Sequence, residues 1–308
     1  MFPRNFVILQ QIRNFMKQAK NIEDQIALLR QRGMHISDVV KAKENLLDIG
    51  YYRLGFYSFP FEKSYPKWEK RTHEYKEGTE FEDIIKLYYF DVDVRNLLAK
   101  YIYRFEINFR TYLTYTVSNH YKNKPTWFVH PEVVTQTFIQ QFDKLIYNEN
   151  FRAIVPIKHH HKNHINDKYA PAWKTIEFMT FGAVIRLYRH LKDKKLKLAI
   201  AKYYGFKSIK TFENYLETAR TIRNVCAHNA VAYDIRTSFA IAKGPASCEL
   251  EHNHDLSGII SVVRYLLGCV SRNRQAELDM QINELLQREN YPENLRKVIE
   301  NCSGLKFS

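Results

Sequence analysis

From about Phe81 to about Asn119 the chain carries its longest helical pattern, and whatever it folds into must be built around that rod. Ile84, Leu87, Leu98, Ile102, Phe105, Phe109 and Leu113 recur at helical intervals and bury one face. Thr79 and Glu82 read as a capping box at its start. On the same helix Glu106 and Arg110 stand four residues apart, close enough to pair. An ordinary helix-supporting ion pair is the simple reading there, unless the fold brings it beside Arg223. Only 10 Gly and 9 Pro interrupt 308 residues, which favours long helices, and 45% hydrophobic content allows a substantial core. The expected fold class is mainly α: a helical bundle with an N-terminal helical segment and a small β-ribbon. Its expected divisions are 1–78, 79–272 and a helical tail, 273–308.

The first twenty residues read as a basic, partly amphipathic lead-in. Ile22, Ile26 and Leu29 then mark a helix ended by Gly33. Ser37 or Asp38 can cap the next, which carries Val39, Ala42, Leu46 and Ile49 and stops at Gly50. The aromatic run YYRLGFYSFPFEK and the following THEYKEG read as a two-stranded ribbon. Arg53 amid Tyr51, Tyr52, Phe56 and Tyr57 either fills core or offers rings for nucleobase stacking. After a break from Pro125 to Pro131, a helix is expected around Phe138 to Tyr147. The stretch KHHHKNHINDKY follows, with His160 and His164 at i, i+4. Only Asp167 is placed to extend that pair into a metal shell, so a solvated, phosphate-attracting loop is expected and no metal site. No other cofactor is implied.

Cys226, Cys248, Cys269 and Cys302 are widely spaced and form no Cys-x-x-Cys, which excludes zinc-ribbon and redox motifs and suits reduced thiols. No apolar run approaches the ~20 residues needed to cross a bilayer. A cytoplasmic protein with no membrane partner is expected.

A net charge of +14 and a pI near 9.4 point to a polyanionic partner. Between Arg186 and Lys210 nine lysines and arginines face a single acid, Asp193, and Tyr203, Tyr204 and Phe206 interleave with them. That run is either a plain solvated face or an RNA-contacting surface. The candidate RNA contacts are Arg220, Arg186, Arg189, Lys194, Lys195 and Arg110.

Chemistry is expected in the segment Arg223-Asn224-Val225-Cys226-Ala227-His228-Asn229. An arginine supplies a fixed cation for phosphate, and a histidine moves protons near neutral pH. The spacing alone is weak, because Arg30 and His35 repeat it in DQIALLRQRGMHI. The flanks separate the two. Thr211 to His228 reads as a helix with Phe212, Tyr215, Leu216, Ala219, Ile222 and Cys226 on one face, and Arg223 points into that apolar sector. In PAWKTIEFMTFGAVIRLYRHL, read as one helix from Pro171, the buried stripe Trp173, Thr180, Val184, Tyr188 and Leu191 includes Glu177. A carboxylate on an apolar face needs a cation, so Glu177 is expected to orient Arg223. His228 is rotated about 140° from Arg223 on an ideal helix. Both reach one phosphate only if the helix ends or bends near Ala227, or if a second subunit completes the site; a symmetric homodimer is the expectation. The plainer alternative is a histidine that merely caps a helix end.

The blocks DQIALLRQRGMHI, GYYRLGFYSFPFE, FEDIIKLYYFDVDVRNLL, RFEINFRTYLTY, PAWKTIEFMTFGAVIRLY and IRNVCAHN occur in one order over roughly Ile22 to Val263. In this the chain resembles the Abi-like family of bacterial abortive-infection proteins, the AbiD and AbiF group, whose helical bundle belongs to the HEPN superfamily. The resemblance implies a HEPN-like helical domain over 79–272 and a metal-independent endoribonuclease, similar to the HEPN sites of type VI CRISPR effectors. It implies that Arg223 and His228 are the HEPN Arg-x4-6-His pair, with Asn224 as the polar neighbour. Relatives commonly carry a further basic residue after the histidine; here Ala230, Val231 and Ala232 follow. The reaction implied is attack of a ribose 2′-OH on the adjacent phosphate, with Arg223, His228, Asn224 and Glu177 as the catalytic set. A non-catalytic RNA-binding protein of the same fold is the alternative, and an interaction partner in phage defence is a third.

Overall fold

The computed structural model describes residues 18–246, 250–288 and 291–307. The lead-in up to residue 17 and Cys248 lie outside them. Among the described residues the chain forms fourteen α-helices, a few 3-10 turns and no β-strand. It divides into two compact units. The smaller comprises the described residues up to Tyr89 with Tyr291–Val298; the larger runs from Phe90 and includes Ile299 onward.

In the smaller unit, α1 (Ile22–Gln31) is capped by Asn21, whose side chain accepts from the Asp24 amide at 2.7 Å. Asp38 caps α2 (Val39–Asp48) by accepting from Lys41 N–H at 2.9 Å. Ile26 and Leu29 of α1 and Ala42 and Leu46 of α2 are buried where the two helices meet. Gly50, at φ 91°, lets α3 (Tyr51–Ser58) start at once, a backbone that a side chain would strain.

α3 overturns the expected ribbon. Its aromatic run is helical, and a 3-10 turn, Phe59–Phe61, follows. The pairing that remains is one isolated antiparallel bridge, Glu62 with Tyr75, flanked by Lys63 N–H to Glu74 O at 2.9 Å and Lys76 N–H to Phe61 O at 2.8 Å. Leu54, Tyr57 and Ser58 are its buried residues, at i, i+3 and i+4, a helical spacing that the period-two alternation of a half-buried strand does not give.

The rod α4 covers Phe81–His120, close to the expected limits. Its start is not a capping box: the Thr79 hydroxyl donates to Lys76 O at 2.7 Å and rounds off the preceding turn. From Phe90 on, α4 belongs to the larger unit. After it come α5 (Gln136–Leu145), α6 (Glu149–Arg152), α7 (Val155–Asn163), α8 (Ala172–Thr175) and α9 (Phe181–Arg189). Then follow α10 (Lys194–Tyr203), α11 (Ile209–Ala227), α12 (Leu256–Val270), α13 (Arg272–Leu286) and α14 (Glu293–Ser303). Helices α9, α10 and α12 each pack against α11. Phe109 of α4 sits among the rings of Phe105, Phe181, Tyr188, Tyr204 and Phe212, with centroids 5.9–6.4 Å away. It is fully buried, so Phe109→Ala costs about 3–5 kcal/mol.

Two further expectations fail locally. The first half of the histidine stretch is helical, as the end of α7, with loop only from His164 on, and His160 is 3% exposed. The helix expected from Pro171 is broken: α8 ends at Thr175, a 3-10 turn covers Ile176–Phe178, and Met179 is extended at ψ 144°. Thr180 then caps α9 by accepting from Ala183 N–H at 3.3 Å. The break takes Trp173 and Glu177 off the stripe that Val184 and Tyr188 continue to bury.

Candidate functional site

α11 carries the motif, and its own sequence fixes both ends. Ser208 caps the start by accepting from Thr211 N–H at 3.3 Å, and Phe212, Tyr215, Leu216, Ala219 and Ile222 are fully buried along one face. At the other end Asn229 adopts φ 52°, Asn229 N–H reaches Cys226 O at 3.4 Å, and Ala230 N–H reaches Val225 O at 3.0 Å. This left-handed cap satisfies the last carbonyls and stops the helix one residue before His228. His228 is therefore the C-cap residue, at φ −104° and ψ 12°, and is exposed. Of the two arrangements that the 140° offset required, the helix does end near Ala227.

Arg223 emerges beside the apolar face, with its side chain 25% exposed. Its partner is Glu106 of α4, not Glu177: Arg223 Nε stands 3.1 Å from Glu106 Oε2. The other carboxylate oxygen accepts from Arg110 Nη2 at 2.9 Å, and the same Nη2 reaches Met179 O at 3.1 Å. Glu106 is 8% exposed, so its charge needs these cations. Two guanidinium groups against one carboxylate leave one positive charge, which suits a phosphate. The Tyr103 ring, 5.8 Å from Arg223 Cζ, flanks the group. Glu177 lies exposed on its 3-10 turn and forms no ion pair among the described residues. The glutamate–arginine pairing thus exists, with the acid supplied by a different helix.

A second charged group anchors the chain just past His228. Asp91, fully buried, accepts from Ala232 N–H at 2.9 Å and Tyr233 N–H at 2.7 Å through Oδ1. Its Oδ2 pairs with Arg95 Nε at 3.1 Å, and Arg95 Nη1 donates to Asn229 Oδ1 at 2.9 Å. Arg95 and Asp91 thereby clamp both Asn229 and the exit at Ala232–Tyr233, holding the end of α11 on α4. Sequence reading passed over this pair, although Asp91 stands seven residues from both Ile84 and Leu98 on the buried face, a detectable misfit.

The expected RNA contacts separate into three groups. Arg189 and Arg220 share Glu217: Arg189 Nη2 is 2.9 Å from Oε2, and Arg220 donates through Nε at 2.9 Å and through Nη2 to Oε1. Burial pushes the Glu217 pKa up, but the hydrogen bond and charge of Arg220, with help from Arg189, outweigh it and leave the pKa low. Arg186 donates to Gln141 Oε1, and Arg110 is committed to Glu106. Lys194 and Lys195 stand exposed in the first turn of α10 without a carboxylate partner among the described residues.

The histidines of α7 diverge. His161 Nε2 meets Tyr147 OH at 2.9 Å, His159 Nε2 meets Asn163 Nδ2 at 3.0 Å, and His160 Nε2 lies 3.2 Å from Asp167 Oδ2. Among the described residues no group of three or more His, Cys, Asp or Glu side chains is placed to hold a metal ion. Cys226, inside the motif, has its thiol pushed up to about 12 by burial and stays protonated at neutral pH, so it is no nucleophile there. Cys226 and Cys269 are free cysteines. No described helix is long and apolar enough to cross a membrane.

A family model described as Abi-like protein matches residues 44–234, well over half the chain and every residue of the Glu106–Arg223 and Asp91–Arg95 groups. The chain belongs to the Abi-like protein family. Membership implies a part in abortive infection, the bacterial defence against phage. The matched part of this Abi-like chain ends just past the Asp91 clamp. No curated protein and no solved structure gives a match.

Proposed function

We propose that this Abi-like protein is a metal-independent endoribonuclease of the HEPN type, acting on RNA during phage defence. The observation that supports this best is a half-buried arginine held by a buried carboxylate, on the same helix end as an exposed histidine. Arg223 is the phosphate ligand: Glu106 occupies its Nε and leaves the guanidinium its remaining donors. His228, whose ring has no hydrogen-bond partner among the described residues, moves the proton to or from the ribose 2′-OH or the leaving 5′-oxygen. The 2′-OH attacks the adjacent phosphorus, the P–O5′ bond breaks, and a 2′,3′-cyclic phosphate and a 5′-hydroxyl result. Arg223 stabilises the charge that builds on the phosphorane oxygens. Asn224 holds a phosphate oxygen or the histidine tautomer. Glu106 takes the orienting role that the sequence assigned to Glu177. A homodimer, with two His228 residues facing one cleft, is part of the proposal, and light scattering of the purified protein tests it.

The decisive experiment expresses wild type beside His228→Ala in bacteria and reads growth and total RNA integrity. Arrested growth and fragmented RNA with wild type alone support the enzyme, and purified protein should cut RNA in EDTA while sparing DNA, which lacks the 2′-OH. Equal growth and intact RNA in both would leave RNA binding as the better account.

A further inference from the structure

The smaller unit holds a cavity of about 960 Å³, lined by residues of α1, α2 and α3, the segment 68–75 and the start of α4, and lying wholly within residues 18–84. That volume is at the upper end of small-molecule sites. Its apolar residues include Leu29, Met34, Leu46 and Leu54, all buried. What marks it as a site is the arrangement of aromatic rings and one arginine.

α3 sends some aromatics into the core and leaves others at the cavity. Tyr52, 81% exposed, meets the Phe56 ring edge-on at 5.5 Å, and Phe56 lies parallel to Trp68 at 6.3 Å with 6° between planes. Trp68, 53% exposed, is backed by the Arg71 guanidinium at 4.9 Å. Arg71 brings no spare charge, since its Nε lies 2.9 Å from each oxygen of the fully buried Glu62 and its Nη2 lies 2.6 Å from Oε1. Arg32 differs. It lines the same cavity, its Nη1 is held at 2.9 Å by Tyr51 OH, and it pairs with no carboxylate among the described residues. His73, also in the lining, has φ 63°, one of two described non-glycine residues in the left-handed region; the other is Asn229 of the candidate site.

A row of partly exposed rings together with an uncommitted guanidinium is complementary to a flat aromatic ring carrying an anion. We propose that this cavity binds a nucleobase bearing a phosphate, with the base on Tyr52, Phe56 and Trp68 and the phosphate on Arg32. The source is either a free mononucleotide or the 5′-phosphorylated end of an RNA. The proposal is independent of the cleavage reaction assigned to Arg223 and His228.

Calorimetric titration of the full-length protein with AMP, UMP, inorganic phosphate and a 5′-phosphorylated oligoribonucleotide tests it. Saturable binding of a mononucleotide, weakened about tenfold by Arg32→Ala and by Tyr52→Ala, is expected. Tyr52→Ala removes only an exposed ring, so its thermal melt should match wild type and its binding loss cannot be ascribed to unfolding. Binding of the oligoribonucleotide alone, with the same dependence on both residues, supports the proposal and names RNA as the source. Inorganic phosphate binding as tightly as AMP, binding unchanged in both variants, or no binding to any of these would overturn it.

Discussion

Arg30 and His35 share the spacing of Arg223 and His228, and nothing else. Arg30 is exposed and donates to Ile36 O at 3.1 Å; His35 is 65% exposed and spends its Nδ1 on Glu80 at 2.6 Å. Each of those side chains is satisfied by its nearest neighbours at the surface, where such contacts contribute ~1 kcal/mol or less. At the second copy the arginine is gripped from another helix by a carboxylate with 8% exposure, and the histidine ring is unengaged. The difference teaches that a spacing becomes a site when the tertiary fold fixes one member and leaves the other available.

The strongest attempt to break this contrast is to remove the two histidines separately. His228→Ala should lower RNA cleavage by ~10²–10⁴-fold, the usual range for a general acid or base, while His35→Ala leaves it within twofold. Equal losses would end the distinction. Arg223→Ala comes next, with a loss of ~10²–10³-fold against no loss for Arg30→Ala, measured on the same substrate. Glu106→Gln should give a smaller defect than Arg223→Ala, since the cation remains but loses its fixed direction.

The clamp sharpens the comparison in terms of stability. Arg95→Ala takes its guanidinium from the buried Asp91 carboxylate, and chemical denaturation should show a loss of about 3 kcal/mol. Asn229→Gly keeps the left-handed helix end but deletes the acceptor for Arg95. Its fold should survive with only a small stability change, whereas kcat falls more than KM changes if the clamp positions His228.

The smallest expected effect is on pH. Burial, with the charges of His164 and Lys174, lowers the pKa of His160 below its ordinary value. The unfolded chain then binds this proton more readily, so the contribution is complete above pH ~6.5 and is lost as the pH falls through and below that value. Wild type should melt at progressively lower temperature from pH 7.5 to 5.5. His160→Gln should flatten that slope even if it lowers stability throughout, and an unchanged slope would remove His160 as its source.

One argument read from the sequence was applied to one helix, where it failed, and not to another, where it fits. A carboxylate on an apolar stripe must meet a cation; applied to α4, that logic fits Asp91 and Glu106, both on the buried face with arginines four residues on and further partners on α11 or its exit. Applied to Glu177, it assumed a continuous helix. Thr180, placed in the stripe, instead turned its hydroxyl to the backbone and restarted the chain as α9. The aromatic run at Tyr51 failed similarly, because rings that suit a strand also suit a helix when a positive-φ glycine starts it.

What the sequence determined by itself was the α-helical class, the rod near Phe81–His120, the inward tilt of Arg223 and the end of α11 near Ala227, because periodicity and caps act over a few residues. What only the tertiary structure decided was which acid meets that arginine. Glu106 and Arg223 lie 117 residues apart, and Arg95 and Asn229 lie 134 apart. Charges separated by that much chain meet only when packing brings α4 and α11 together, and no local pattern records which carboxylate the arginine will find.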